Sequence, residues 1–142
     1  MITPILACLP KLTLPLVSGY VPCGFPSPAQ DFEVEPLSLE DLLVRRPAAT
    51  YYLRVSGDSM IGVGIMDGGI LVCDRALSPL PGDVIVALVE DEFTVKIYQT
   101  GPNGWELHPA NEAYPIILGR AEQPLECLGV VRVGVHANVV DD

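Results

Sequence analysis

The chain is short of positive charge, with eight Lys and Arg against eighteen Asp and Glu, for a formal net charge of -10. Phosphate backbones are bound through Lys and Arg, so direct binding of nucleic acid is not expected, and any such role should run through a protein partner. Lysine is scarcer still, with Lys11 and Lys96 the two examples. No two of Cys8, Cys23, Cys73 and Cys127 form a CxxC pair, and His108 and His136 are the two histidines. Zinc asks for four suitably spaced ligands, so no metal site is expected. Dispersed thiols suit a reducing compartment better than a disulfide framework. No uninterrupted apolar run reaches the roughly 18 residues of a membrane helix. Met1 to Pro15 is apolar, but it has no positive n-region, and Pro4, Pro10 and Pro15 interrupt it, so it is a poor signal peptide. A cytoplasmic protein without a membrane partner is expected.

What is present is apolar content of 49% over 142 residues, enough for one folded domain with its own core. Pro4, Pro10, Pro15, Pro22, Pro26 and Pro28 crowd the front. Proline removes a backbone donor and fixes φ, so residues 1–30 read as an extended arm. Leu12, Leu14, Leu16, Val17, Tyr20 and Val21 give that arm apolar surface, which favours docking on the body or on a sheet edge over a frayed tail. Residues 31–142 are expected to form the body. Ser38-Leu-Glu-Asp-Leu-Leu-Val-Arg-Arg46 predicts one short helix, capped by Ser38 with Asp41 at N3. Arg45 and Arg46 suit its C-terminal dipole, and Pro47 stops it. From Ala49 onward the pattern predicts strands at 50–56, 69–74, 83–89, 92–98, 104–108, 115–118 and 126–136. Gly, Pro, Asn and Asp clusters separate them. The fold class is mainly β, with short and mostly antiparallel strands after the arm and helix.

Two segments are candidates for chemistry. In Tyr51-Tyr-Leu-Arg-Val-Ser-Gly-Asp-Ser59-Met60 a β-rich run stops at Gly57 and puts Ser59 on a turn. A serine there can be a nucleophile, with the backbone N–H of Ser59 and that of Asp58 as the candidate oxyanion hole. Taken alone, the segment favours an ordinary turn serine. In Glu92-Phe-Thr-Val-Lys96-Ile-Tyr98, alternation puts Thr94, Lys96 and Tyr98 on one face of a strand. Burial there would push Lys96 toward the neutral amine that a general base requires. The competing reading is a lysine on an exposed strand. A Ser-His-Asp arrangement stays open, but neither His108 nor His136 has an obvious partner in sequence.

Six blocks together resemble one family. They are Cys23-Gly-Phe-Pro-Ser-Pro28, Val55-Ser-Gly-Asp-Ser-Met-Ile61, Gly64-Ile-Met-Asp-Gly68, Pro81-Gly-Asp-Val84, Glu92-Phe-Thr-Val-Lys96 and Pro109-Ala-Asn-Glu-Ala-Tyr114. In this order and spacing, over roughly residues 20 to 135, the chain resembles the LexA/UmuD group of self-cleaving Ser–Lys peptidases (peptidase family S24). The resemblance implies the group's C-terminal peptidase fold. It implies Ser59 as nucleophile, Lys96 as general base and Cys23–Gly24 as the bond cut, with no cofactor. It further implies a homodimer, stimulation by a RecA filament on single-stranded DNA during the SOS response, and a trimmed product. That product would regulate a UmuC-type Y-family DNA polymerase in translesion synthesis. LexA-like members carry an N-terminal DNA-binding domain for which this chain has no room, so the UmuD-like side of the group is expected. Pro22, Gly69 and Ile97 depart from the group's pattern. Pro22 takes away a strand-type hydrogen bond just before the cut and lowers the expected efficiency. A non-cleaving regulator that binds the polymerase is the alternative. A signal-peptidase-like enzyme is a third reading, disfavoured by the lack of a membrane anchor.

Overall fold

A computed structural model describes residues 11–25, 33–120 and 122–137. The chain divides into two compact units, Met1–Arg45 and Arg46–Asp142. The boundary expected near residue 30, and the arm prolines Pro4, Pro10, Pro26 and Pro28, lie outside the described residues.

In the first unit, β1 (Leu14–Val17) pairs antiparallel with β2 (Val34–Leu37). Within the expected extended arm, Leu14–Val17 is therefore a strand, and its partner is a strand that the sequence pattern did not reveal. Pro15 faces Pro36 in the register. Neither has an N–H to give. The Ser18 N–H donates to the Glu33 carbonyl at 2.8 Å, which marks Ser18 and Glu33 as a hydrogen-bonded pair. Counting back in steps of two leaves Pro15 and Pro36 at a non-hydrogen-bonded pair, where the missing donors cost nothing. Helix α1 (Leu39–Leu43) follows, with Ser38 Oγ accepting from the Asp41 N–H at 3.3 Å, as the capping pattern requires. Its last turn carries no basic residue.

Arg46, expected at the helix dipole, belongs to the second unit instead. Its guanidinium donates to Asp74 Oδ2 at 2.8 Å. Asp74 is only 2% exposed. Burial pushes its carboxyl up, but the Ala76 N–H and Arg46 outweigh that and hold it below the usual carboxylate range.

The second unit is one seven-stranded antiparallel sheet in the order β3-β4-β9-β5-β6-β7-β8. Its strands are β3 (Thr50–Arg54), β4 (Ile70–Asp74), β5 (Val84–Val89), β6 (Glu92–Gly101), β7 (Gly104–His108), β8 (Ile117–Leu118) and β9 (Glu126–Val135). The sheet confirms the mainly-β, antiparallel expectation. β6 runs further than the pattern predicts because Gly101 pairs with Gly104 and closes a hairpin with β7. β8 is shorter than expected, starting only after Pro115.

Both faces of β5 are covered. Val86 joins Met60, Ile65, Leu71 and Cys73 in one buried cluster, and Ile85 and Ala87 join Leu107 and Val130 in the other. A strand buried on two sides reads as a continuous apolar run, and Val84-Ile-Val-Ala-Leu-Val89 is one. β9 is skipped once against β4 and once against β5, opposite Val72/Cys73 and Val86/Ala87. Bulges of this kind bend a strand and tighten the local twist. Tyr51 reaches from β3 to donate to the Leu128 carbonyl at 3.0 Å, packing against Gly129, where a Cβ would lie 2.8 Å from its hydroxyl oxygen. Among the described residues Cys23, Cys73 and Cys127 are free thiols. Burial pushes the Cys73 thiol up to about 11, so it is inert at neutral pH.

β7 pairs with β6 only from Ile97 onward. The first half of β6, Glu92 to Lys96, therefore has β5 on one side and no β7 on the other. That half-open stretch carries the lysine of interest.

Candidate active site

Ser59 follows β3 on a turn that leaves the sheet after Arg54. Gly57 has φ +95°, a conformation that a Cβ would strain, so the predicted turn glycine has a specific job. Its N–H donates to Asp67 Oδ1 at 2.8 Å, and Gly68 N–H donates to the Val55 carbonyl at 2.8 Å. These contacts tie the turn to the Asp67-Gly68 turn that leads into β4.

Lys96 comes from β6 and is 9% exposed. Its Nζ lies 3.1 Å from Ser59 Oγ, 2.8 Å from Thr94 Oγ1 and 3.2 Å from the Val95 carbonyl oxygen. Burial lowers its pKa. Among the described residues, no carboxylate is a hydrogen-bond partner of Lys96 that would oppose that effect. A neutral amine has two N–H bonds and one lone pair. Thr94 and the Val95 carbonyl can take the two N–H groups, which leaves the lone pair for the Ser59 hydroxyl. The arrangement can therefore draw a proton from serine without a histidine. His108 is occupied elsewhere, 2.9 Å from Glu106 Oε1.

The pair lines a cleft of about 240 Å³. Leu53, Val55, Met60, Ile65 and Val86 supply apolar walls, and Phe93 and Thr94 lie on the β6 side. An apolar wall with a few convergent polar atoms is the usual make-up of a ligand site. The N–H groups of Asp58 and Ser59 donate to no protein acceptor among the described residues. Cys23 and Gly24 lie in the first unit, in an exposed bend. A Cβ at Gly24 would meet nothing within 4 Å.

A loop after β7 straps the Ser59 turn from outside. Ala110 N–H donates to the Ser59 carbonyl at 2.8 Å, Gly62 N–H donates to the Ala110 carbonyl at 2.8 Å, and Asn111 Nδ2 donates to the Asp58 carbonyl at 2.9 Å. The Tyr114 hydroxyl hydrogen-bonds to Asp58 Oδ1, which raises the Tyr114 pKa. The sequence holds this loop in a family-like block, Pro109 to Tyr114, without signalling its role, and it likewise gives no direct sign of Thr94 as a hydrogen-bond partner of Lys96. The strap also explains Gly62. An added Cβ there would sit 2.4 Å from the Ala110 carbonyl oxygen. Gly62→Ala is expected to destabilise the chain by about 1–3 kcal/mol through overpacking. Urea unfolding of the purified variant measures it.

The family model described as Peptidase S24-like matches residues 15–132. Protein SamA of Salmonella typhimurium (strain LT2) is 42% identical over 124 residues, covering 87% of this chain and 86% of that protein. Protein MucA of Escherichia coli is 41% identical over 120 residues, 84% of this chain and 82% of its own length. The LexA repressor of Shewanella pealeana is 41% identical over 130 residues, which are 91% of this chain but 62% of the repressor. Among the described residues no helix is long and apolar enough to cross a membrane, and no group of His, Cys, Asp and Glu is placed to hold a metal ion.

Proposed function

The chain belongs to the S24-like peptidase family, and from that premise we propose that it is a self-cleaving serine endopeptidase acting on its own Cys23–Gly24 bond. The observation that carries the proposal is the 3.1 Å approach of Lys96 Nζ to Ser59 Oγ in a buried setting that disfavours the ammonium. Neutral Lys96 takes the hydroxyl proton as Ser59 Oγ attacks the Cys23 carbonyl carbon. The N–H groups of Asp58 and Ser59 receive the negative charge that develops on the carbonyl oxygen. Collapse breaks the Cys23–Gly24 bond, and the Lys96 ammonium gives its proton to the departing Gly24 amine. Water, deprotonated by the regenerated amine, then hydrolyses the Ser59–Cys23 ester. The proton count closes with Ser59 and Lys96 restored and residues 24–142 released as the shortened chain.

The setting follows the resemblance described above. The intact protein acts in the cytoplasm as a homodimer, and a RecA filament on single-stranded DNA stimulates its cut. The shortened product serves as regulatory subunit of a UmuC-type Y-family polymerase in error-prone synthesis. A net charge of -10 fits a protein that meets DNA through partners rather than directly.

The test is intact-mass measurement and N-terminal sequencing after incubation with RecA, nucleotide and single-stranded DNA. A new terminus at Gly24 is expected. Only full-length chain after prolonged incubation would overturn self-cleavage and favour the second reading, a regulator that binds the polymerase uncut. Pro22 is the observation behind that second reading, because it removes the N–H next to the scissile residue.

A further inference from the structure

Proton transfer between Ser59 and Lys96 makes no use of the strap that follows β7. The turn it holds nonetheless needs an anchor. Residues 58 to 63 lie outside the sheet ladder, between Gly57 at φ +95° and Gly64 at φ +83°. The Asp58 carbonyl otherwise accepts from the Ile61 N–H at 3.4 Å, at the long end of hydrogen bonding.

We infer that Asn111 is a positioning residue for the oxyanion hole, its hydrogen bond to the Asp58 carbonyl aiming the N–H of Ser59. The inference rests on the self-cleavage reading only for which N–H groups matter. Its core is geometric. The Asp58 C=O and the Ser59 N–H belong to one planar trans peptide and point in opposite directions. Whatever fixes the carbonyl therefore fixes the N–H. Asn111 Nδ2 holds that carbonyl at 2.9 Å, and Ala110 N–H holds the next one, that of Ser59, at 2.8 Å. Two consecutive peptide planes are pinned by two consecutive strap residues. Asn111 is itself locked, because its Oδ1 accepts from the Ala113 N–H at 3.0 Å and its carbonyl accepts from the Tyr114 N–H at 3.1 Å. That Asx turn leaves Nδ2 a single direction in which to donate. Tyr114 bonds the Asp58 carboxylate rather than its backbone, and so closes the clasp without setting the peptide plane.

Asn111→Ser keeps a turn acceptor for the Ala113 N–H but is too short to reach Asp58. Self-cleavage at its alkaline plateau is expected to slow by on the order of 10- to 100-fold, less than the loss of an oxyanion donor outright. The pH midpoint should not move, because Lys96 keeps its partners. Phosphonylation of Ser59 by an alkyl fluorophosphonate, whose phosphoryl oxygen enters the same hole, should slow by a similar factor. Tyr114→Phe should stay within about threefold of the parent in both assays. If Asn111→Ser lowers the Tm into the assay range, Asn111→Asp, equal in length and with the acceptor retained, carries the same rate comparison. Cleavage and labelling by the Asn111 variant within about twofold of the parent would overturn the positioning role while leaving self-cleavage standing. A midpoint shift that accounts for the whole loss would overturn it too. A parent chain that never cuts its arm, yet labels at Ser59 in an Asn111-dependent way, would sink the self-cleavage reading and keep this one.

Discussion

Purified Ser59→Ala protein is expected to remain at full length under conditions that trim the parent to residues 24–142. The rate should fall by roughly a thousandfold or more, because the variant lacks the hydroxyl that meets the Lys96 lone pair, Thr94 being held as an acceptor of a Lys96 N–H. Ser56 lines the same cleft, but no hydrogen bond joins it to Lys96. Alanine at position 59 leaves Lys96 its contacts to Thr94 Oγ1 and the Val95 carbonyl, so the fold should survive and an intact Tm serves as the control. Lys96→Ala should be equally inert, since a serine hydroxyl without a base is a poor nucleophile near neutral pH. The double variant should be no slower than either single one, because the two groups act as one unit and their effects do not add. Time courses of intact mass at one pH give all three rates. Normal trimming of Ser59→Ala in pure solution would sink the mechanism.

The second unit was legible where local rules act. Alternating residues and Gly, Pro, Asn and Asp punctuation placed its seven strands, and in the first unit Ser38 announced the helix cap, because these signals lie within a few residues of what they specify. The ribbon of β1 and β2 was not legible. Val34-Glu-Pro-Leu37 has neither alternation nor a turn signal, and its strand state comes from a partner twenty residues earlier. Arg46 looked like a helix-end cation and turned out to neutralise Asp74, a carboxylate whose burial only the sheet creates. The same limit shaped the site. Ser59 and Lys96 are 37 positions apart, and each alone read as ordinary; the family blocks joined them before the 3.1 Å contact did. Asn111 lies 53 positions from the carbonyl it holds, a contact that leaves no periodicity behind. Thr94 did share a predicted strand face with Lys96, which was the available signal for their hydrogen bond.

The rate of self-cleavage is expected to climb about tenfold per pH unit on the acid side and to level off at a midpoint below the ordinary lysine value. The sign follows from burial. Removing Lys96 from water disfavours its ammonium and lowers its pKa in the folded chain. Below that folded pKa most molecules carry a protonated lysine that cannot accept the Ser59 proton. Above it the base is free and the rate stops responding. The same group links to stability. Its folded pKa is lowered, so the native state binds fewer protons than the unfolded chain between the two pKa values, and stability from this group rises with pH across that window. Thr94→Val sharpens the test. The threonine oxygen accepts from Nζ at 2.8 Å, and an ammonium gains more from that acceptor than a neutral amine does. Valine should therefore move the midpoint to lower pH. It should also lower the plateau, because an amine freed from Thr94 no longer keeps its lone pair on Ser59. First-order cleavage rates from neutral to alkaline pH, for parent and Thr94→Val, measure both quantities. A flat parent profile, or a midpoint at or above that of free lysine, would remove Lys96 from the role of general base.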